Sequence, residues 1–321
     1  MTVASASGST GAGATAAGAP DLETRLPRPE PYELVRTLSP LRHGHGDPTI
    51  RLETGRARRA TRTPDGPATI EVVDADRELI VRAWGPGAGW AVHRAADLCG
   101  LNDDPAALLA LDPPHRLVVE LARRFAGVRI PRTNRVVEAL VPAVLEQKIT
   151  GGEARRIYRA LVWRHGEPAP GPFGLRLQPA PERLAALPYH AYHPLGLERR
   201  RAETLRRIGA LADRLETAAT LPIDEAHRRL GAVVGVGPWT ENEVARDALG
   251  DPDAVSVGDF HLPSLVAWAL ASEPRADDAR MLELLEPYRG QRGRLVRLLE
   301  TSGIEAPKRG PRMPVRSIAR I

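Results

Sequence analysis

The segment Gly235-Val-Gly-Pro-Trp-Thr-Glu-Asn-Glu-Val-Ala-Arg-Asp-Ala-Leu-Gly-Asp-Pro-Asp-Ala-Val-Ser-Val-Gly-Asp259 decides how the chain reads. A glycine turn, Gly235-Val236-Gly237, separates two helical stretches, 223–230 and 238–249. Pro238 stands at a first helical position, where its missing N–H costs nothing. Asp259 lies 22 residues beyond Gly237 and opens another apolar helix running to about residue 270. Each feature has two readings. The glycine turn is a tight helix–helix connection, or a cradle whose N–H groups between Val234 and Trp239 face a phosphate. Asp259 is an N-cap worth about 1 kcal/mol, or a carboxylate kept ionised by helix N-terminal N–H groups and aimed at a sugar. A capping position can serve both roles.

Composition bounds the partners. The 321 residues suffice for one large domain or two modest ones, and 42% apolar content supports a packed core. A formal net charge of +5 and a pI near 9.8 agree with a nucleic-acid partner and equally with a charged soluble surface. Lys148 and Lys308 are the only lysines among 45 basic side chains, so an amine for Schiff-base chemistry is scarce. The single cysteine, Cys99, rules out an intrachain disulfide and a cysteine-ligated iron–sulfur cluster, and reads as a small buried residue. No apolar run is long enough to span a membrane. Residues 1–20 carry no charge and lack both the basic start and the apolar centre of a signal peptide, so a cytoplasmic, nucleoid-associated protein is expected.

The fold class expected is α+β. Residues 1–25 read as a disordered tail. Residues 26–104 read as a small antiparallel α+β unit, with a proline-rich entry at 26–31 and a short helix at 32–38. Its strands fall at 49–53, 57–63, 68–73 and 78–84, with turns at 64–66 and 74–76 and a helix at 90–98. Ile70 and Val72 alternate with polar neighbours, as on a half-buried strand. Residues 105–305 read as helical, with helices at 117–125, 134–149, 153–164, 181–187 and 197–215 before the glycine turn. Others follow at 277–286 and 293–301. Residues 306–321 hold Lys308, Arg309, Arg312, Arg316 and Arg320 and no acid, and read as a flexible basic tail.

The whole segment resembles the helix-hairpin-helix DNA glycosylases, most of all the AlkA-like 3-methyladenine class. In that family the run reads Gly-apolar-Gly-x-Trp-Thr-Ala, with an aspartate at the spacing that Gly237 and Asp259 keep here. The likeness spans residues 28–305 and is strongest over 128–265. It implies a small antiparallel unit ahead of a helical glycosylase domain. It implies a DNA-binding hairpin of Val234, Gly235, Val236, Gly237 and Trp239, and Asp259 as the catalytic carboxylate. Its base pocket would draw on Trp239, Glu243, Phe260, His261, Gln147 and Arg297. Ile130, in Val128-Arg129-Ile130-Pro131, matches a wedge that fills the gap left by a flipped base, and Lys148 would meet a phosphate. No cofactor or metal centre is implied beyond a structural monovalent cation at the hairpin carbonyls.

Simpler readings accompany these. Trp239 also reads as a core residue pinning the hairpin, and Ile130 as a core-facing loop residue. Two pocket positions depart from the family pattern: Glu243 replaces a tyrosine and Arg297 a tryptophan. Glu243 either attracts a cationic base or pairs with Arg297 as scaffold. His193 and His261 show no metal-ligand spacing. Trp239 also occupies the family's lyase-lysine position.

The implied function is a monofunctional DNA glycosylase of base excision repair. Acting as a monomer on double-stranded DNA, it would flip out alkylated purines such as 3-methyladenine and 7-methylguanine and hydrolyse their N-glycosidic bonds. These bases already carry positive charge, so no strong general acid is needed. The alternative is a non-catalytic helix-hairpin-helix protein that binds DNA structures. A third reading, an oxidised-guanine glycosylase and lyase, meets Trp239 where it needs lysine.

Overall fold

Ile70 and Val72 point to one side of the strand Gly66–Ala75 and meet Ala83 and Val81 across an antiparallel pair, all at most 2% exposed. This alternation builds the N-terminal sheet of the computed structural model, which describes residues 18–307. Strands β1 (Leu22–Pro27), β2 (Ile50–Glu53), β3 (Arg56–Thr63), β4 (Gly66–Ala75) and β5 (Glu78–Trp84) lie in the order β1-β5-β4-β3-β2, every pair antiparallel. Helices Leu34–Leu38 and Ala88–His93 supply apolar residues to the sheet's core, where the Tyr32 hydroxyl donates to the buried Cys99 carbonyl at 2.9 Å.

Strand β1 corrects the expected tail. Residues 22–25, expected within a disordered tail, pair with β5 in register Leu22↔Ala83. The strand hides in sequence because its alternation is charged. Glu23 meets Arg82 and Arg25 meets Glu78 across the pair, which suits an exposed edge. The helix expected at 90–98 is two short pieces, Ala88–His93 and Ala95–Leu98, separated at Arg94. Residues 1–17 and 308–321, including the expected basic tail, lie outside the described residues.

The sheet's other face is covered by a flap that the sequence reading lacks. Two-residue strands Glu167–Pro168 and Arg176–Leu177 pair within a stretch rich in glycine and proline. Phe173 stands edge-on to Trp84 at 4.8 Å, and the Thr69 hydroxyl donates to the Pro170 carbonyl. The flap therefore covers the second face of β4 at Thr69, while the buried Glu71 on the same face is held by Arg58 and Arg82 of the neighbouring strands.

Beyond the sheet the chain is helical, in two packed bodies. One core runs from Val136 to Ala254; the other joins residues 108–128 to residues 255–299. Glu138, in the helix Val136–Glu146, locks the first body to the sheet by accepting from Arg59, the Thr61 hydroxyl and the Arg62 N–H. Among the described residues no helix is long and apolar enough to cross a membrane. The chain passes between the two bodies at Ala254 and Val255, which belong to different cores. Asp259 lies just beyond this crossing.

Candidate active site

The glycine turn forms between helices Ile223–Gly231 and Pro238–Val244, the second loosening into a π-type turn at Ala245–Leu249. Val233 and Val236 are buried anchors, while Val234 is 70% exposed at the tip. Gly235 has φ +100°, and a Cβ there would stand 2.2 Å from the Thr204 hydroxyl. Both the backbone sign and the close approach require glycine. Gly237 is extended, and a Cβ there would meet nothing in the protein. Its free side faces outward.

Three side chains far apart in sequence brace this turn. The Gln147 amide donates to the Gly235 carbonyl at 3.0 Å and to the Thr240 hydroxyl at 2.8 Å. Arg207 donates to the Val234 carbonyl at 2.7 Å. His227, on the first hairpin helix, lies between Glu241 on the second and Asp251 after it, at 2.7 and 3.0 Å. Each imidazole nitrogen faces a carboxylate, an arrangement that favours the charged ring with its two N–H donors. The Asp251 hydrogen bond leads in raising the His227 pKa, with Glu241 adding to it against the opposing effect of burial. Gln147 thus serves as a strut of the hairpin. The Arg207 and His227 contacts carried no local sequence signal. Lys148 is exposed at a left-handed backbone position, φ +57°.

Asp259 sits where the crossing segment enters the helix Leu262–Ala271. Its Oδ1 accepts from the His261 and Leu262 N–H groups at 2.7 and 2.8 Å, so it fastens the turn that leads into the helix, whose N-cap position itself falls to His261. Its Oδ2 accepts from the Trp239 indole N–H at 3.3 Å. Trp239 is partly buried against the first helical core, so the indole both pins the hairpin and reaches the carboxylate. Phe260 is 89% exposed beside it, edge-on to the exposed His261 ring at 4.9 Å. An oriented, partly exposed carboxylate, an indole and an open phenyl face therefore gather at the mouth between the two helical bodies.

Three sequence expectations change here. Glu243 does not pair with Arg297. It accepts from Arg246 at 2.7 Å and from the Ser256 hydroxyl, and burial pushes its carboxyl up to about 7 against the pull of Arg246. The Ser256 carbonyl in turn accepts from the Asp259 N–H, so Glu243 supports the crossing segment. Arg297 instead reaches the N-terminal unit, donating to the Arg36 carbonyl at 2.8 Å and the Ser39 hydroxyl at 2.9 Å. Ile130 is 5% exposed, with its N–H held by Asp103, so it is a core-facing loop residue and no wedge.

No family model matches the chain. Over 266 residues it is 32% identical to a probable bifunctional transcriptional activator/DNA repair enzyme AlkA of Mycobacterium tuberculosis, a match covering 77% of this chain. The chain spans about half the length, 50%, of the curated relatives it matches. The fold is similar to that of a 3-methyladenine DNA-glycosylase from Archaeoglobus fulgidus, with TM-score 0.73, 20% identity and coverage of 86% of this chain and 97% of that one. It is also similar to a Clostridium acetobutylicum 8-oxoguanine glycosylase/lyase solved with double-stranded DNA, with TM-score 0.63, 15% identity and coverage of 84% and 90%.

Proposed function

We propose that the chain is a helix-hairpin-helix DNA glycosylase of the AlkA-like kind, a monofunctional enzyme that removes alkylated purines from double-stranded DNA. The observation that carries this reading is the hold on Asp259. Two backbone N–H groups and an indole N–H fix its carboxylate beside an open aromatic face, and the indole belongs to the helix that leaves the glycine hairpin.

The chemistry follows from that placement. Outward N–H groups of the hairpin would grip a phosphate, without reading sequence. The flipped base would lie against Trp239 and Phe260, whose electron-rich faces attract a cationic purine. As the bond from C1′ to the base breaks, its electrons neutralise the base, and positive charge builds on the sugar. Asp259 stabilises that charge and orients the water that adds to C1′, accepting its proton. The products are the free base and an abasic site, the first step of base excision repair.

Trp239 at the position after the hairpin supports hydrolysis without strand cleavage, since an indole cannot form a Schiff base. Action as a monomer belongs to the same reading. A structural monovalent cation at the hairpin would use carbonyls other than those of Val234 and Gly235, which already accept from Arg207 and Gln147. The test is base release from methylated duplex DNA, with the products separated by chromatography. Release of 3-methyladenine or 7-methylguanine, leaving intact abasic strands, is expected. No release above the protein-free rate would contradict the proposal and favour a non-catalytic DNA-binding protein.

A further inference from the structure

A second arginine-rich surface lies away from Asp259, where the sheet unit meets the helix Gly151–His165. There an open groove of about 430 Å³ is lined by Arg42, Arg51 and Trp163. Arg155, Arg159 and Trp163 are spaced four residues apart on that helix and share one of its faces. Arg155 and Arg159 lie directly over Gly44 and Gly46, within 2.9 Å of where a Cβ would stand at each. This joins them to the loop that carries Arg42 and Arg51.

Two observations point to the occupant. First, Arg42, Arg51, Arg155 and Arg159 make no ion pair among the described residues, whereas arginines on the nearby sheet, such as Arg58, Arg59 and Arg62, are paired. The one acid lining the groove, Asp47, is buried, and its carboxylate is taken up by the His43 and Thr49 N–H groups and the Thr49 hydroxyl. The groove therefore presents uncompensated positive charge. Second, Trp163 is 56% exposed, and Arg176 lies 4.9 Å over its ring. Arg176 is itself fixed by the Gly166 carbonyl at 2.8 Å. A braced indole beside unpaired guanidinium groups suits a polyanion that also offers flat apolar rings. Duplex DNA hides its base faces in the stack; a single strand exposes them.

We propose that this groove binds a single strand of DNA, with phosphates on Arg42, Arg51, Arg155 and Arg159 and an unstacked base on Trp163. The helix carrying the stripe begins just after Gln147, the strut of the hairpin. At about 1.5 Å per residue, Trp163 lies on the order of 20 Å along it, a length of about six nucleotides at about 3.4 Å each. Single-stranded DNA beside a duplex held at the hairpin would then reach the groove. The proposal does not depend on Asp259 chemistry.

The test measures binding of a labelled oligothymidylate of about 16 nucleotides to the full chain, with base release from a short methylated duplex measured in parallel. Trp163→Ala should weaken the single-strand complex about tenfold, and Trp163→Phe, which keeps a stacking face, should restore most of the affinity. Arg155→Glu combined with Arg159→Glu should lower the salt slope of single-strand binding by about 1.4, or about 0.7 per lost phosphate contact. Base release from the short duplex should stay within about twofold of wild type in every variant, because no groove residue meets the lesion. Unchanged single-strand affinity in the alanine and charge-reversed variants would overturn the proposal, as would equal losses for Trp163→Ala and Trp163→Phe. Tighter binding of oligouridylate than of oligothymidylate would overturn the assignment to DNA. Failure of the glycosylase reading would appear separately, as absent base release by the wild-type chain.

Discussion

Trp239 and Asp259 are 20 residues apart in sequence and meet through one hydrogen bond, the indole N–H on the carboxylate at 3.3 Å. Trp239 belongs to the helix that leaves the hairpin, and Asp259 to the segment that crosses between the two helical cores. The bond couples the element expected to hold DNA to the group expected to act on the sugar.

Trp239→Phe keeps an aromatic ring against the core and removes only that donor. Single-turnover base release should fall about tenfold, the low end for a hydrogen bond to a charged group. Duplex affinity should stay within about twofold, because the hairpin backbone is untouched. Unchanged release would mean that the indole contributes packing alone.

Gly237→Val tests the hairpin as a phosphate grip. A side chain at Gly237 meets no protein atom, so the fold should tolerate it. It would stand in the path of an approaching phosphate. Gel-shift affinity for damaged and undamaged duplexes should fall together, since phosphate contacts carry no base information. A loss confined to damaged DNA would place the defect in the base pocket.

Glu243 is expected to act as scaffold for the crossing segment. Glu243→Ala leaves Arg246 and Ser256 without this partner and should cost about 1–3 kcal/mol, seen as a lower Tm. Release of 7-methylguanine and of hypoxanthine should drop by the same factor. The pH dependence has a definite sign. The folded carboxyl titrates near 7, above its ordinary 4.5, so its stabilising contribution is fully present below pH 4.5 and lost as pH rises through about 7. The Tm advantage of wild type over Glu243→Gln should therefore shrink across that interval. A loss of 7-methylguanine release much larger than that of hypoxanthine would restore a selectivity role.

Local pattern carried the hairpin, Asp259 and four of the sheet strands, because each rests on contacts close in sequence or on plain alternation. Longer-range features did not read out. Strand β1 is recognised only by its partner β5, some 60 residues away, and the flap over Trp84 is a glycine- and proline-rich stretch given its fold by the sheet beneath it. Ile130 has the sequence setting of a wedge, yet Asp103 holds its backbone and the side chain packs inward. A pairing of Glu243 with Arg297 was one of two readings open for Glu243, whereas Arg246 and Ser39 are their partners. Charged side chains reach about 6 Å and can find any neighbour within that span, so sequence position alone cannot choose among them.

His227 should make the hairpin sensitive to pH. Its folded pKa is raised above 6.5 by the two carboxylates, so its stabilising contribution is fully present below 6.5 and lost as pH rises through the folded value. Duplex affinity should weaken as pH rises from about 6 to about 9, and His227→Gln should flatten that dependence. Carbon-detected NMR of the His227 ring gives the folded pKa directly. A value at or below 6.5 would remove the basis for this expectation.

The central claim is that Asp259 acts on the sugar, and Asp259→Asn tests it most directly. Asparagine keeps the size and the capping ability of the side chain, so Tm should hold. Single-turnover release of 7-methylguanine from duplex DNA should fall by about 10²- to 10³-fold, the loss expected for a preorganised electrostatic partner, with duplex affinity close to wild type. Near-normal release by the variant would contradict the account and leave Asp259 as a helix cap alone.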